Sequence, residues 1–170
     1  MSTTSYLKSH KLKPLKGDII AFSGKGILAR IVKAFTSSKV SHVGIMINSA
    51  EMIEASYGGV KIVSLAEVLK RKDDKILCRL YPHLRPHRNK AFDDFTLKVV
   101  NKEYDLLQCI KLGLGIRNKE DFKKLFCSEL VGGYLEAIKA IPTYNVSGLT
   151  PIEIYNLPIY ETKEIITGSL

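Results

Sequence analysis

The chain lacks any apolar run of the ~18–20 residues that a membrane helix needs; the longest candidates are interrupted by Lys, Arg or Glu. The stretch 1–16 is polar and Lys-rich with no apolar core, so a secretory leader is not expected. Cysteine is scarce and odd in number, three in 170 residues, which is no disulfide framework and points to a reducing compartment. The expectation is a cytoplasmic protein, with an origin as a secreted effector or in a phage or virus left open. Internal repeats and low-complexity linkers are also missing. Residues 1–170 therefore read as one domain, with 1–15 as a flexible basic lead. At 45% hydrophobic and 25% charged residues the composition excludes disorder as the main state.

What is present is uneven charge. Residues 1–35 carry seven Lys/Arg against Asp18 alone, a net +6, and residues 70–90 carry eight against Asp73 and Asp74, again +6. Such blocks suit an anionic partner such as a membrane surface. The plainer reading is a solvated lysine-rich face. Aromatics are not interleaved with the basic residues as a single-strand stacking platform requires, so no nucleic acid partner is expected.

Periodicity gives the elements. Short apolar or alternating runs predict strands at 19–22, 40–47, 52–56, 60–63 and 75–81. Helical spacing predicts helices over 27–36, from the Ser64 cap through Leu69, over 91–100, over 106–112, and from Cys127 to Ile138. Thr150-Pro151 marks the start of one more. This order predicts an α+β fold, an antiparallel sheet packed by helices on one side.

Three residues carry the candidate chemistry. His42 sits in an apolar strand with Gly44 two residues on, and a strand interior tolerates glycine where something approaches closely. Alone, such a histidine is more often a hydrogen-bonded core or surface residue than a catalyst. Cys78 and Cys109 lie among apolar neighbours as small hydrophobes. Cys127 instead opens a helix, where unpaired N–H groups and the helix dipole favour the thiolate. Glu54 lies in the apolar flank Met52-Ile53 and Ala55, a costly place for a carboxylate without a partner. Either it orients His42, or it pairs with a nearby Lys or Arg.

Other candidates fail. Pro82 and Pro86 break any helix that would align His83 and His87 for a metal. Gly24-Lys25-Gly26 lacks the spacing of a phosphate loop. Ser41 and Ser128 flank key residues but lie in no Gly-x-Ser-x-Gly turn.

GDIIAF (17–22), SHVGIMI (41–47), IEAS followed by GGV (53–56, 58–60) and FCSELV (126–131) appear in this order. Together they resemble the circularly permuted branch of the NlpC-type papain-like cysteine peptidase and amidase superfamily. YiiX-like proteins are the nearest in pattern; poxvirus and lecithin:retinol acyltransferase-like members are more distant. The resemblance covers roughly residues 15–157, and in this branch the histidine strand precedes the cysteine helix. It implies a permuted papain-like fold with Cys127 at a helix N-terminus as nucleophile, His42 as general base and acid, and Glu54 orienting His42. It implies cleft-shaping roles for Tyr104, before Asp105, and for Ser41 and Ser128. The expected activity is a cysteine hydrolase cleaving an amide through an acyl-enzyme, with no metal or other cofactor. The substrate expected is a small peptide, a peptidoglycan fragment or a lipid amide. The alternatives are a thiol acyltransferase acting on lipid, or a non-catalytic lipid- or peptide-binding module on the same fold.

Overall fold

A computed structural model describes residues 13–24, 39–56, 58–85, 90–104, 124–142 and 149–166. Among them six strands build one antiparallel sheet: β1 (Ile19–Ser23), β2 (His42–Met46), β3 (Glu51–Ser56), β4 (Gly59–Ser64), β5 (Asp74–Leu80) and, after a two-stranded pair, β8 (Tyr160–Ile166). Their order across the sheet is β4-β3-β2-β1-β5-β8. The small parallel pair is β6 (Glu103–Tyr104) with β7 (Lys124–Leu125). Helices are α1 (Leu65–Lys70), α2 (Lys90–Val99), α3 (Cys127–Ala137) and α4 (Pro151–Asn156). Among the described residues no helix is long and apolar enough to cross a membrane.

Alternation along each strand sorts side chains onto two faces. On one face Ile19, Ala21, Val43, Ile45, Ile53 and Leu80 pack with Phe92 of α2, Leu130, Val131 and Tyr134 of α3, and Ile154 of α4. On the other, Ile20, Phe22, Met46, Met52 and Leu77 are covered by Leu65 and Val68 of α1. The helical layer predicted for one side is thus α2–α4, and α1 adds a short cover on the opposite side. That second cover is what brings a helix end to the face where His42 and Glu54 lie.

The caps follow the sequence. Ser64 Oγ accepts the Glu67 N–H at 3.2 Å and starts α1. Thr150 and Glu153 form a reciprocal capping box around Pro151. Gly59, at φ 106°, brings the chain against Lys102, whose carbonyl oxygen would stand 2.7 Å from any Cβ added there. In return the Val60 N–H donates to that carbonyl at 2.8 Å, tying residues 101–104 to the edge strand β4. The helices predicted at 27–36 and 106–112 lie outside the described residues. The sequence pattern predicts no strand after Pro151, yet β8 closes the sheet edge against β5.

Candidate active site

Register delivers the histidine. Phe22 of β1 is the cross-strand partner of His42, and such partners share a face, so the imidazole stands beside the Phe22 ring with centroids 5.1 Å apart. Between β2 and β3 the pairs are Ile45 with Ile53 and Met46 with Met52. Continuing this register sets Glu54 across from Gly44, one diagonal step from His42 on the same face. The missing side chain matters: a Cβ on Gly44 would stand 2.1 Å from Met52 Cε and 3.4 Å from Glu54 Cβ. His42 Nε2 lies 3.0 Å from Glu54 Oε2, leaving Nδ1 as the ring nitrogen for any other partner.

The carboxylate has a second partner that the sequence pattern did not identify. Arg71, the C-cap of α1, donates from one terminal nitrogen to Glu54 Oε2 at 2.8 Å and from the other to Oε1 at 2.7 Å. Glu54 therefore contacts both the histidine and a basic side chain. Within the sequence Arg71 looks like part of the solvated run Lys70-Arg71-Lys72. Its position one residue past a capped helix was the available signal.

Cys127 opens α3 and is almost wholly buried, behind the N-cap Phe126. The Phe126 N–H donates to Glu129 Oε2 at 3.3 Å, which satisfies one of the unpaired donors of this helix end. Since α3 packs chiefly on β2, its N-terminal end lies against the strand that carries His42, and Cys127 acts electrostatically on the imidazole. Burial alone would drive His42 toward its neutral form; Cys127, then Glu54, outweigh this and push the imidazole from the usual 6.5 up to about 10. Glu54 is raised by burial but held down by His42 and Arg71, from 4.5 to about 2. The start of α3, where Cys127 stands, presents the positive end of its helix dipole. Cys78 sits in the opposite circumstances: burial pushes its thiol from 9.0 up to about 12.

Of the remaining candidates, Ser41 and Ser128 are engaged in other hydrogen bonds. Ser41 Oγ accepts the Gly24 N–H at 3.0 Å and faces the Phe22 carbonyl, joining β1 to β2. Ser128 Oγ donates to the Leu149 carbonyl, fixing the start of α3 to the approach of α4. Tyr104 lies in β6, and its side chain is outside the described structure, as are Cys109 and His87. His83 is exposed and stacks on Tyr81. Among the described residues no three His, Cys, Asp or Glu side chains gather where they could hold a metal ion.

Residues 13–156 match the profile of the permuted papain-like amidase enzymes of the YaeF/YiiX family. Probable lipoprotein peptidase YaeF of Escherichia coli (strain K12) is 33% identical over 94 residues, 55% of this chain and 33% of that protein. The match thus spans about a third of the length of that relative. The crystal structure of metalloprotein yiiX from Escherichia coli O157:H7 superposes with a TM-score of 0.69 at 16% identity, covering 92% of this chain and 98% of that one. That likeness is one of fold.

Proposed function

The chain belongs to the permuted papain-like amidase family, and on that ground we propose that it cleaves an amide bond with Cys127 as nucleophile, His42 as general base and acid, and Glu54 as the group that orients and charges the imidazole. At the level of the family the activity is that of a cysteine amidase or peptidase. The observation that supports the assignment to residues is the Glu54 carboxylate 3.0 Å from His42 Nε2, beside an imidazole whose charge Cys127 and Glu54 favour.

The thiolate of Cys127 attacks the amide carbonyl and the C–N bond breaks as the imidazolium of His42 gives its proton to the departing amine. Neutral His42 then takes a proton from water, whose oxygen attacks the thioester and frees the acid and the thiol. The Cys127 backbone N–H at the start of α3 is the donor proposed for the oxyanion. Glu54 keeps its charge throughout and stabilises the imidazolium. Candidate substrates are a small peptide, a peptidoglycan fragment and a lipid amide.

Iodoacetamide labelling of the folded protein at pH 6–7, read by peptide mass spectrometry, tests this. Cys127 should be alkylated first, and Cys127→Ala should abolish hydrolysis across a panel of peptidyl and N-acyl amides. Preferential labelling of Cys78 would sink the assignment.

A further inference from the structure

We propose that Arg71 is a positioning residue of this site: its guanidinium grips both oxygens of Glu54 and aims the carboxylate at His42, while Lys75 fixes the loop that presents it. The inference rests on the functional reading above.

A carboxylate bound to one histidine alone is free to turn about its last torsion. Here Arg71 takes both oxygens, and Oε2 is shared with His42 Nε2. Two parallel N–H···O bonds to a planar fork fix the plane of the carboxylate as well as its place. The guanidinium is located in turn. Its carbon lies 6.0 Å from the centre of the Phe22 ring, the ring that His42 packs against. The Arg71 N–H donates to the Val68 carbonyl at 3.2 Å, which ends α1.

The loop has its own anchor. Lys75, near the start of β5, is 4% exposed, and its ammonium donates to the Arg71 and Asp73 carbonyls, each at 2.6 Å. A buried ammonium spent on two loop carbonyls is costly unless the loop must hold one shape. Around Arg71 the charged groups are Glu54 from β3, His42 from β2, Asp73 from the loop, Glu67 from α1 and Lys75 from β5. An ordinary exposed ion pair contributes little beyond solvated charge. This one has a carboxylate 3% exposed with a histidine as its third partner.

The test is the pH dependence of Cys127 alkylation by iodoacetamide, with folding checked by circular dichroism. Removing the Arg71 cation raises the pH at which nearby groups ionise. Arg71→Met should therefore move the acid limb up by about one unit and slow labelling at pH 6 about tenfold. Arg71→Lys keeps the charge and loses the fork, so it should restore less than half of the rate. Lys72→Met, the exposed neighbour, should leave the profile in place. In a Glu54→Gln background, Arg71→Met should add nothing. A wild-type profile in folded Arg71→Met, or an effect that multiplies that of Glu54→Gln, overturns the proposal. A purely structural pair would lower the melting temperature and leave the limb unmoved. If Arg71→Met does not fold, the limb and rate of Arg71→Lys decide. An unreactive Cys127 in the wild-type chain would overturn the functional reading itself, a result distinct from the others.

Discussion

Glu54 is a carboxylate with three nitrogen partners and almost no water. Replacing it by Gln keeps the shape and removes the charge. The imidazole of His42 should then titrate more than about one unit below its raised value, which proton NMR of the ring would follow. Glu51→Gln, at the exposed end of β3 where Asn48 is its partner, should leave that titration alone. The same shifts set a stability window. Glu54 is lowered from 4.5 to about 2, so its contribution is present above 4.5 and is lost as pH falls through about 2. His42 is raised from 6.5 to about 10, so its contribution is present below 6.5 and is lost as pH rises through about 10. Thermal melts should therefore be flattest between these windows, and Glu54→Gln should shrink the acid-side loss. Glu54 was legible in the sequence because a carboxylate in an apolar strand demands a partner. Arg71 was not, because its meaning depends on where α1 ends in space, and its apolar neighbours come from other strands.

Glycines mark where the elements approach most closely. At Gly44 the obstacle to a side chain is the end of the flexible Met52 thioether, with the Ile53 carbonyl 3.1 Å away behind it. Gly44→Ala should cost about 1 kcal/mol, since Met52 is buried and must repack. At Gly59 the obstacle is backbone, and φ is positive. Gly59→Ala should therefore cost more, about 2 kcal/mol or above. Urea midpoints of the two variants would rank them, and the reverse order would show that Met52 is the stiffer wall. The glycine two residues after His42 thus signalled a close approach correctly. The capped helices α1 and α4 were equally readable, because Ser64 and Thr150 satisfy their helix ends with their own side chains. The edge strand β8 was hidden by its composition. Glu161, Lys163 and Glu164 leave it no continuous apolar face, and the β5 partners that make it a strand, from Lys75 against Ile166 to Leu80 against Tyr160, lie far back in the sequence.

Across the molecule, four basic residues of the block 70–90 are spent on fold contacts, while Lys70 and Lys72 stay exposed. Arg71 meets Glu54, Arg79 meets Asp18, Arg85 meets Glu161, and Lys75 holds loop carbonyls. A charge count along the sequence cannot distinguish a solvated lysine from one spent on a fold contact several strands away. Asp18 is the most enclosed of these partners. Burial raises its carboxyl, the Leu15 N–H and Arg79 oppose this, and Oδ1 is buried with no hydrogen-bond partner among the described residues. Arg79→Met would leave that carboxylate unpaired and should cost about 3–5 kcal/mol in chemical denaturation. Adding Asp18→Asn should recover part of the loss, and strict additivity of the two changes would refute the pairing.

The linear order of the cluster also sets when it can be complete. His42, Glu54 and Arg71 leave the ribosome before Cys127 does, 56 residues after Arg71. Strands β1 to β5 pair among themselves, and all of them precede α3 in the chain. Under the proposed roles, a chain stopped ahead of residue 127 would carry the histidine and carboxylate of the site without the sulfur. The order of synthesis would then keep the proposed site incomplete until α3 is made.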